Sequence, residues 1–155
     1  MMNLRNLFRI KLTNKILLRL MLVMALVGIA DTAYLTADYF LGTGVKCLLL
    51  EGCEVVLTSS YSRMFGIPLA FFGLGFYMLI FVLVSAADIY ESKLVYKAIL
   101  SAGIVGFLFS LYLLYLQIFV IEALCIYCLT SLLSSTVIFG LGVLLYRRGF
   151  SAQIT

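Results

Sequence analysis

The chain has 155 residues, of which 65% are hydrophobic and only 12% are charged, and its formal net charge is +4. A soluble domain of this length cannot hide so much apolar surface, because small folded proteins leave much of their surface in water. The basic residues cluster at the ends of long apolar runs, so they indicate membrane orientation rather than nucleic-acid binding. We expect one all-α integral membrane domain over residues 1–155.

Four apolar runs predict four membrane-spanning helices, at about residues 16–39, 65–87, 98–121 and 125–146. Each is long enough to cross a hydrocarbon layer of about 30 Å at about 1.5 Å per residue. Backbone groups in lipid must pair within their own segment, so helix is the expected conformation. The first run has some features of a cleaved signal peptide, but its apolar stretch exceeds the usual signal core, and we expect it to be retained.

The distribution of basic residues predicts the orientation of this bundle. Four Lys and Arg residues precede the first span and a fifth, Arg19, lies in its first turn; two more lie between the second and third spans, and two follow the fourth. An even number of spans places both termini on one side, and the basic bias makes that side cytoplasmic. The first loop and the turn around Glu122 then face outward, and all four cysteines belong to that outer face.

The first loop, residues 40–64, is the one long polar segment, and it contains Cys47 and Cys53. Five residues separate these cysteines, a spacing that allows a disulfide but does not require one. The later part of the loop, residues 54–61, predicts a short half-helix at the membrane interface. Such a helix would cap the four-helix bundle and limit the entry of water.

Asp31 lies inside the first span, where an acidic residue is costly and often functional. Near the outer end of that span it could instead bond to a neighbouring helix, and both interpretations stay open. Gln117 and Glu122, near the end of the third span, have similar interfacial explanations.

Cys125 and Cys128 begin the fourth span, and their spacing puts both sulfurs on one helix face. In the first turn of a helix, free N–H groups and the positive end of the dipole favour thiolate over thiol. Apolar surroundings oppose charge, so the two effects compete and the pKa stays open. Because thiolates attack disulfides, we expect the pair to cycle between dithiol and disulfide.

Other interpretations of the four cysteines compete with a redox relay. Static disulfides suit an oxidising compartment, although a bridge between residues three apart adds little stability through loop closure. Four thiolates could bind zinc, although the spacing of the loop cysteines is wide for a zinc half-site. Ordinary small apolar residues explain one cysteine more readily than four on one face. The runner-up to a relay is therefore a non-enzymatic four-helix scaffold with outer disulfides, and a metal-binding membrane module comes third.

Four stretches carry a resemblance to a known family: Cys47, Gly52-Cys53-Glu-Val-Val-Leu-Thr-Ser59, Phe65-Gly-Ile-Pro68-Leu-Ala-Phe-Phe-Gly73 and Cys125-Ile-Tyr-Cys128. Together they resemble the vitamin K epoxide reductase family, most closely its prokaryotic members. The resemblance implies a four-helix bundle around a quinone of the menaquinone or ubiquinone type, with a half-helix cap after the second loop cysteine. It also implies disulfide generation, in which electrons pass from exported proteins to the membrane quinone.

Carried over residue by residue, the resemblance implies an order of exchange. A reduced thioredoxin-like exported protein would exchange with Cys47, and Cys53 would pass the electrons to Cys125. Cys128 would be the thiolate that faces the quinone, and no metal is expected. Ser59 matches the family's serine or threonine near the active centre, where it would bond a quinone oxygen or a sulfur; a cap or turn role fits it equally. No thioredoxin-like domain follows the fourth span, so a separate partner chain is expected.

The second span supplies the expected quinone wall. Phe72, Phe76 and Tyr77 match the quinone-lining part of the family, although from the residues alone they are bulky groups in an apolar helix. Leu69 and Leu132 stand where vertebrate members carry polar groups able to bond vitamin K. This difference favours ordinary quinone reduction over epoxide reduction.

Overall fold

The computed structural model describes the backbone of residues 4–42, 44, 52–90 and 92–151, and the side chains of those between 13 and 148. In chain order these residues form helix α1 (Leu4–Leu41), the short helix α2 (Cys53–Thr58), a 3₁₀ turn (Ser60–Ser62), strands β1 (Arg63–Met64) and β2 (Ile67–Pro68), and helices α3 (Leu69–Ile89), α4 (Lys93–Phe119) and α5 (Ile126–Ser151).

Four of the described helices are long and apolar enough to cross a membrane; the segments are Thr13–Leu41, Leu69–Ile89, Lys93–Phe119 and Ile126–Arg148. The predicted all-α four-helix membrane bundle is therefore confirmed, and the protein is a multi-pass membrane protein. Its outer surface carries large apolar side chains, among them Val82, Val105 and Leu133. Such a surface is stable against lipid tails, which are as apolar as these side chains.

The helix α3 begins at Leu69, later than the predicted start at Phe65. Residues 63–68 instead form an antiparallel hairpin whose two strands have two residues each, with Met64 paired to Ile67. Its turn consists of Phe65 and Gly66, at φ values of 54° and 80°, which lie in the left-handed region and cannot continue a right-handed helix. The predicted span began too early because this segment is apolar, and apolar character alone does not reveal a turn in the backbone.

The helix α4 begins at Lys93, earlier than the predicted start at residue 98. Ser92 caps it, since its side-chain oxygen accepts a hydrogen bond of 3.3 Å from the N–H of Leu94. A serine in this position satisfies one of the free N–H groups of the first turn. The cap therefore extends the helix beyond the apolar run that defined the predicted span.

The four long helices close into a ring. Helix α1 packs against α3 and α5, and α4 packs against α5 and α3. The main core lies at the end where α1 and α4 begin and where α3 and α5 end, and we call it the packed end. Its buried residues are Leu17, Leu18, Met21, Ala25, Tyr77, Ile80, Val84, Ala87, Tyr96, Ile99, Ile138 and Leu145.

A second, smaller cluster of buried residues lies at the opposite end of the bundle and consists of Cys53, Val56 and Cys125. We call this region the cysteine end. Helix α2 lies here, as the short cap that the sequence predicted after the second loop cysteine.

Candidate active site

Helix α2 brings Cys53 against residues 120–125, the connector between α4 and α5. Cys53 is the first residue of α2, is fully buried and is held in a disulfide. Gly52 permits the close approach, because a Cβ there would lie 2.8 Å from the carbonyl oxygen of Leu124. The start of α2 therefore rests on the backbone next to Cys125. Cys47 lies outside the described residues.

Cys125 and Cys128 are free thiols at the start of α5. Cys125 directly precedes the helix and is fully buried in the cluster with Cys53 and Val56. Cys128 lies in the first turn and lines a large cavity. The pair thus connects two environments: one sulfur packs in the cluster that contains Cys53, and the other borders the cavity.

Gln117 fixes the connector that carries Cys125. Its side-chain oxygen accepts a hydrogen bond of 3.0 Å from the N–H of Cys125, and its main-chain oxygen accepts one of 3.1 Å from Ala123. Gln117 is only 3% exposed, so both bonds are shielded from water. The sequence offered an interfacial explanation for Gln117 and missed this contact, because nothing in the local pattern links residues eight positions apart across a turn.

The first turn of α5 sets the charge state of Cys125. A hydrogen bond from the Cys128 thiol, together with the N–H groups of Cys128 and Tyr127, lowers the pKa of Cys125 from 9 to about 7. Burial acts in the opposite direction but is the weaker influence. For Cys125, the competition that the sequence left open therefore favours the thiolate, whereas the family resemblance implied that the thiolate would be Cys128. Near neutral pH a large share of Cys125 is ionised.

A cavity of about 490 Å³ opens beside Cys128. Its walls come from all four long helices and from α2, and they are mostly apolar. The polar groups include Asp31, Tyr77, Gln117 and Ser131. A cavity of this size, apolar with a few polar groups, is typical of sites for small organic ligands.

The three predicted quinone-lining residues, Phe72, Phe76 and Tyr77, all line this cavity. The Phe76 ring lies where a Cβ on Gly106 would be, so the glycine lets α4 accept an aromatic ring at close range. The Tyr77 hydroxyl contacts Ser131 twice, at 2.8 Å from its carbonyl oxygen and 2.9 Å from its hydroxyl. These contacts hold two aromatic side chains in fixed positions on one wall.

Ser59 follows α2 and also lines the cavity. Its hydroxyl donates a hydrogen bond of 2.7 Å to the carbonyl oxygen of Val56, which ends the short helix. The hydroxyl proton of Ser59 is therefore used in a turn contact, which is one of the two roles expected for this residue. The oxygen lone pairs of Ser59 remain a polar feature of the cavity wall.

Asp31 differs from the other polar residues of the cavity. Its Oδ2 atom is buried and has no hydrogen-bond partner among the residues that the structure describes. It interacts electrostatically with Cys125, Cys128 and Tyr77. The interpretation in which this acid bonds to a neighbouring helix does not account for the unpartnered oxygen.

The cavity suits a quinone by its own chemistry. A quinone ring is flat and apolar and carries two oxygen atoms, so it needs aromatic or aliphatic walls and a few polar groups. Phe72 and Phe76 supply such walls, and Tyr77 and Asp31 supply polar groups on the same surface. Cys128 lies on this surface as well.

Most of the chain matches a known protein family. A model of the vitamin K epoxide reductase family matches residues 19–143, which contain all four cysteines and most of the chain. Comparison with curated proteins gives no match to the chain.

Proposed function

The chain belongs to the vitamin K epoxide reductase family, and we propose that it makes disulfide bonds in exported proteins by passing their electrons to a membrane quinone. Family membership supports thiol–disulfide oxidoreductase activity in general. The finer proposal rests on one observation: the free pair Cys125 and Cys128 joins the buried cluster of Cys53 to an apolar cavity.

The first exchange takes place at the loop cysteines. A thiolate of a separate, reduced thioredoxin-like protein attacks a disulfide between Cys47 and Cys53 at the Cys47 sulfur, which releases Cys53 as a thiolate. The second thiol of the partner then resolves the mixed disulfide. The partner leaves as a disulfide, and its two electrons stay on Cys47 and Cys53.

The second exchange moves these electrons to the start of α5. The Cys53 thiolate attacks Cys125 in a disulfide between Cys125 and Cys128, and Cys128 leaves as a thiolate. Cys47 then attacks Cys53, which restores the loop disulfide and frees Cys125. The resulting state has a disulfide at Cys53 and a dithiol at Cys125 and Cys128, which is the state of the described residues.

The low pKa of Cys125 supports this direction of transfer. A sulfur that is stable as a thiolate leaves readily when Cys47 attacks Cys53. The hydrogen bond between Cys128 and Cys125 then keeps one proton on the pair. The dithiol can then be oxidised through Cys128, which borders the cavity.

The cavity residues hold and orient the electron acceptor. When bound, a quinone supplies the two-electron, two-proton acceptor that returns the pair to a disulfide. Phe72 and Phe76 would hold its ring, and Tyr77 would present a hydroxyl whose position is fixed by Ser131. Leu69 also lines the cavity, and its apolar side chain supports quinone reduction rather than epoxide reduction.

The distribution of charge supports an outward-facing cysteine end. Lys93 and Lys97 begin α4, and Arg147 and Arg148 end α5, so these basic residues lie at the packed end of the bundle. The positive-inside tendency supports a cytoplasmic location for that end. The cysteines then lie on the outer face, where a thioredoxin-like exported protein can reach them.

Turnover of a purified relay tests the proposal. Protein in lipid nanodiscs, supplied with a reduced thioredoxin-like protein and a soluble quinone, is expected to reduce the quinone as the partner is oxidised, measured by quinone absorbance and partner mass. Cys128→Ala is expected to lower turnover by about 10³-fold or more, because it removes a sulfur that carries the electrons. Thr136→Ala, an exposed position farther along α5, is the matched control and is expected to behave as wild type.

Two results would contradict the proposal. In the first, the wild-type protein fails to reduce the quinone although its thiols exchange with the partner. In the second, Cys128→Ala turns over normally. A four-helix scaffold with structural disulfides predicts no quinone reduction by either protein.

A further inference from the structure

One acid in the cavity has no part in the thiol exchanges described above. We propose that Asp31 is the proton donor for reduction of the quinone bound beside Cys128, an inference that rests on the proposed function. Asp31 would give its carboxyl proton to a quinone oxygen while the two electrons leave the cysteine pair.

A count of protons shows why such a group is needed. Conversion of a quinone to a quinol takes two electrons and two protons, and formation of the Cys125–Cys128 disulfide supplies the two electrons. When Cys125 is a thiolate, only the Cys128 thiol brings a proton. A protonated Asp31 brings the second, so that thiol, thiolate, acid and quinone give disulfide, carboxylate and quinol with charge conserved. Asp31 then regains a proton from solvent, where the proton of Cys125 was released.

The surroundings of Asp31 suit a stored proton. The residue lies ten positions before the end of α1, or about 15 Å along the helix axis, inside an apolar span. The Oδ2 atom is buried without a hydrogen-bond partner in the described part of the chain. A charged carboxylate without a partner is unfavourable in such a place, so the neutral acid is the stable form before the reaction.

The other charged residues of the cavity wall are placed differently. Asp38 lies about two turns closer to the end of α1, and Glu54 and Arg63 are exposed, with the Arg63 guanidinium 5.4 Å from the ring centroid of Tyr39. Asp31 is therefore the acid that combines a place on the cavity wall with electrostatic proximity to Cys128.

Asp31 also differs in its hydrogen bonding from two hydroxyl groups that line the same cavity, those of Tyr77 and Ser59. The Tyr77 hydroxyl is already engaged with Ser131, and the Ser59 hydroxyl donates to Val56. Their protons are held in hydrogen bonds within the protein. The carboxyl group of Asp31 has a free oxygen and an acidity suited to releasing a proton within one turnover.

Steady-state kinetics of Asp31→Asn test the proposal in the nanodisc system. The variant keeps the shape of the side chain but cannot release a proton, and its kcat for the quinone is expected to fall by about 10²-fold with little change in KM. Asp31→Glu is expected to recover part of the loss. Asp88→Asn, which removes an exposed acid at the end of α3, is the control and is expected to match wild type.

Two measurements without quinone turnover separate a proton donor from a structural residue. Infrared difference spectra between wild type and Asp31→Asn, recorded at neutral pH without quinone, are expected to show a protonated carboxyl band in wild type only. Reduction of an oxidised Cys125–Cys128 pair by the thioredoxin-like protein, followed by alkylation and mass, is expected to proceed at the wild-type rate in Asp31→Asn.

The outcomes distinguish the two proposals. An unchanged kcat in Asp31→Asn, a rise in KM alone, or a missing carboxyl band in wild type overturns the role of Asp31 and leaves the relay intact. Slow thiol exchange in Asp31→Asn also overturns the role of Asp31 as a proton donor, since the residue would then be needed for the structure of the site. A wild-type protein that reduces no quinone overturns the proposed function, and the role of Asp31 with it.

Discussion

The two ends of the bundle are built on opposite principles. At the packed end, Ile80, Ile99 and Ile138 are fully buried among other apolar side chains. At the cysteine end, the same helices leave a cavity of about 490 Å³ and place polar side chains on its wall. Helices in lipid are held together mainly by close packing. The comparison indicates that one end stabilises the bundle and thereby allows the other to stay open for a ligand.

Tyr77 lies where the two ends meet. Its ring belongs to the core of the packed end, against Gly28, where a Cβ would overlap the ring. Its hydroxyl reaches Ser131 on α5 and also lines the cavity. Tyr77 therefore belongs to both regions, with an apolar ring in the core and a polar hydroxyl on the cavity wall.

The largest expected effect comes from a substitution that creates a cavity at the packed end, and it tests whether the two ends are independent. Ile80→Ala is expected to lower the free energy of unfolding by about 2–4 kcal/mol, because a fully buried side chain is truncated. Turnover per folded molecule is expected to stay unchanged. Reversible denaturation in mixed micelles measures the first effect, with the 60% exposed Val82→Ala as the control. An altered KM for the quinone in Ile80→Ala would show that the two ends are not independent.

A smaller effect concerns the charge of Cys125. Alkylation of Cys125 in the reduced protein is expected to have its midpoint near pH 7, since the thiolate is the reactive form and its pKa is about 7. Below that pH the rate falls as the thiol becomes protonated. Cys128→Ala removes the hydrogen bond that contributes most, so the midpoint is expected to rise by about one unit, equivalent to about 1.4 kcal/mol. Mass spectrometry of the labelled peptide measures both profiles, and a midpoint near 9 in wild type would contradict the assigned charge state.

The smallest effect concerns the connector. Gln117→Leu leaves the buried N–H of Cys125 without its acceptor and is expected to cost about 1 kcal/mol. We expect exchange between Cys53 and Cys125 to slow about 5-fold as a result. Gln117→Glu keeps an acceptor oxygen, so the N–H bond is expected to persist. Trapping of the mixed disulfide at short times measures the rate, and equal rates in Gln117→Leu and wild type would show that α5 alone positions Cys125.

The sequence predicted the long helices well because helix is the one conformation in which an isolated segment in a membrane satisfies all its backbone hydrogen bonds. Each apolar run had to pair its own N–H and C=O groups, so run length alone located the four long helices. The hairpin before α3 was missed for the complementary reason. Phe65 is as apolar as the residues of a span, and only its positive φ reveals the turn.

The candidate site was predictable in its residue types but not in its geometry. The spacing of Cys125 and Cys128 indicated a redox pair, and the family resemblance selected Phe72 and the two residues near it. The contact of Gln117 with Cys125 depends on how the connector folds back onto α4. The unpartnered oxygen of Asp31 likewise depends on where neighbouring helices place their polar atoms. Neither follows from a periodic pattern along the chain.

The unequal lengths of the long helices bear on how the bundle sits in a lipid layer. Helix α3, with 21 residues, is about 32 Å long and only just matches the hydrocarbon thickness, whereas α1, with 38 residues, is about 57 Å long. Strong tilting of the bundle would shorten the reach of α3 below that thickness, so the shortest span limits the tilt. The surplus of α1 must then project from the hydrocarbon layer, and since α1 begins at the packed end, the mismatch is taken up far from the cavity mouth. Changes in bilayer thickness can therefore be accommodated at the packed end, away from the cavity beside Cys128.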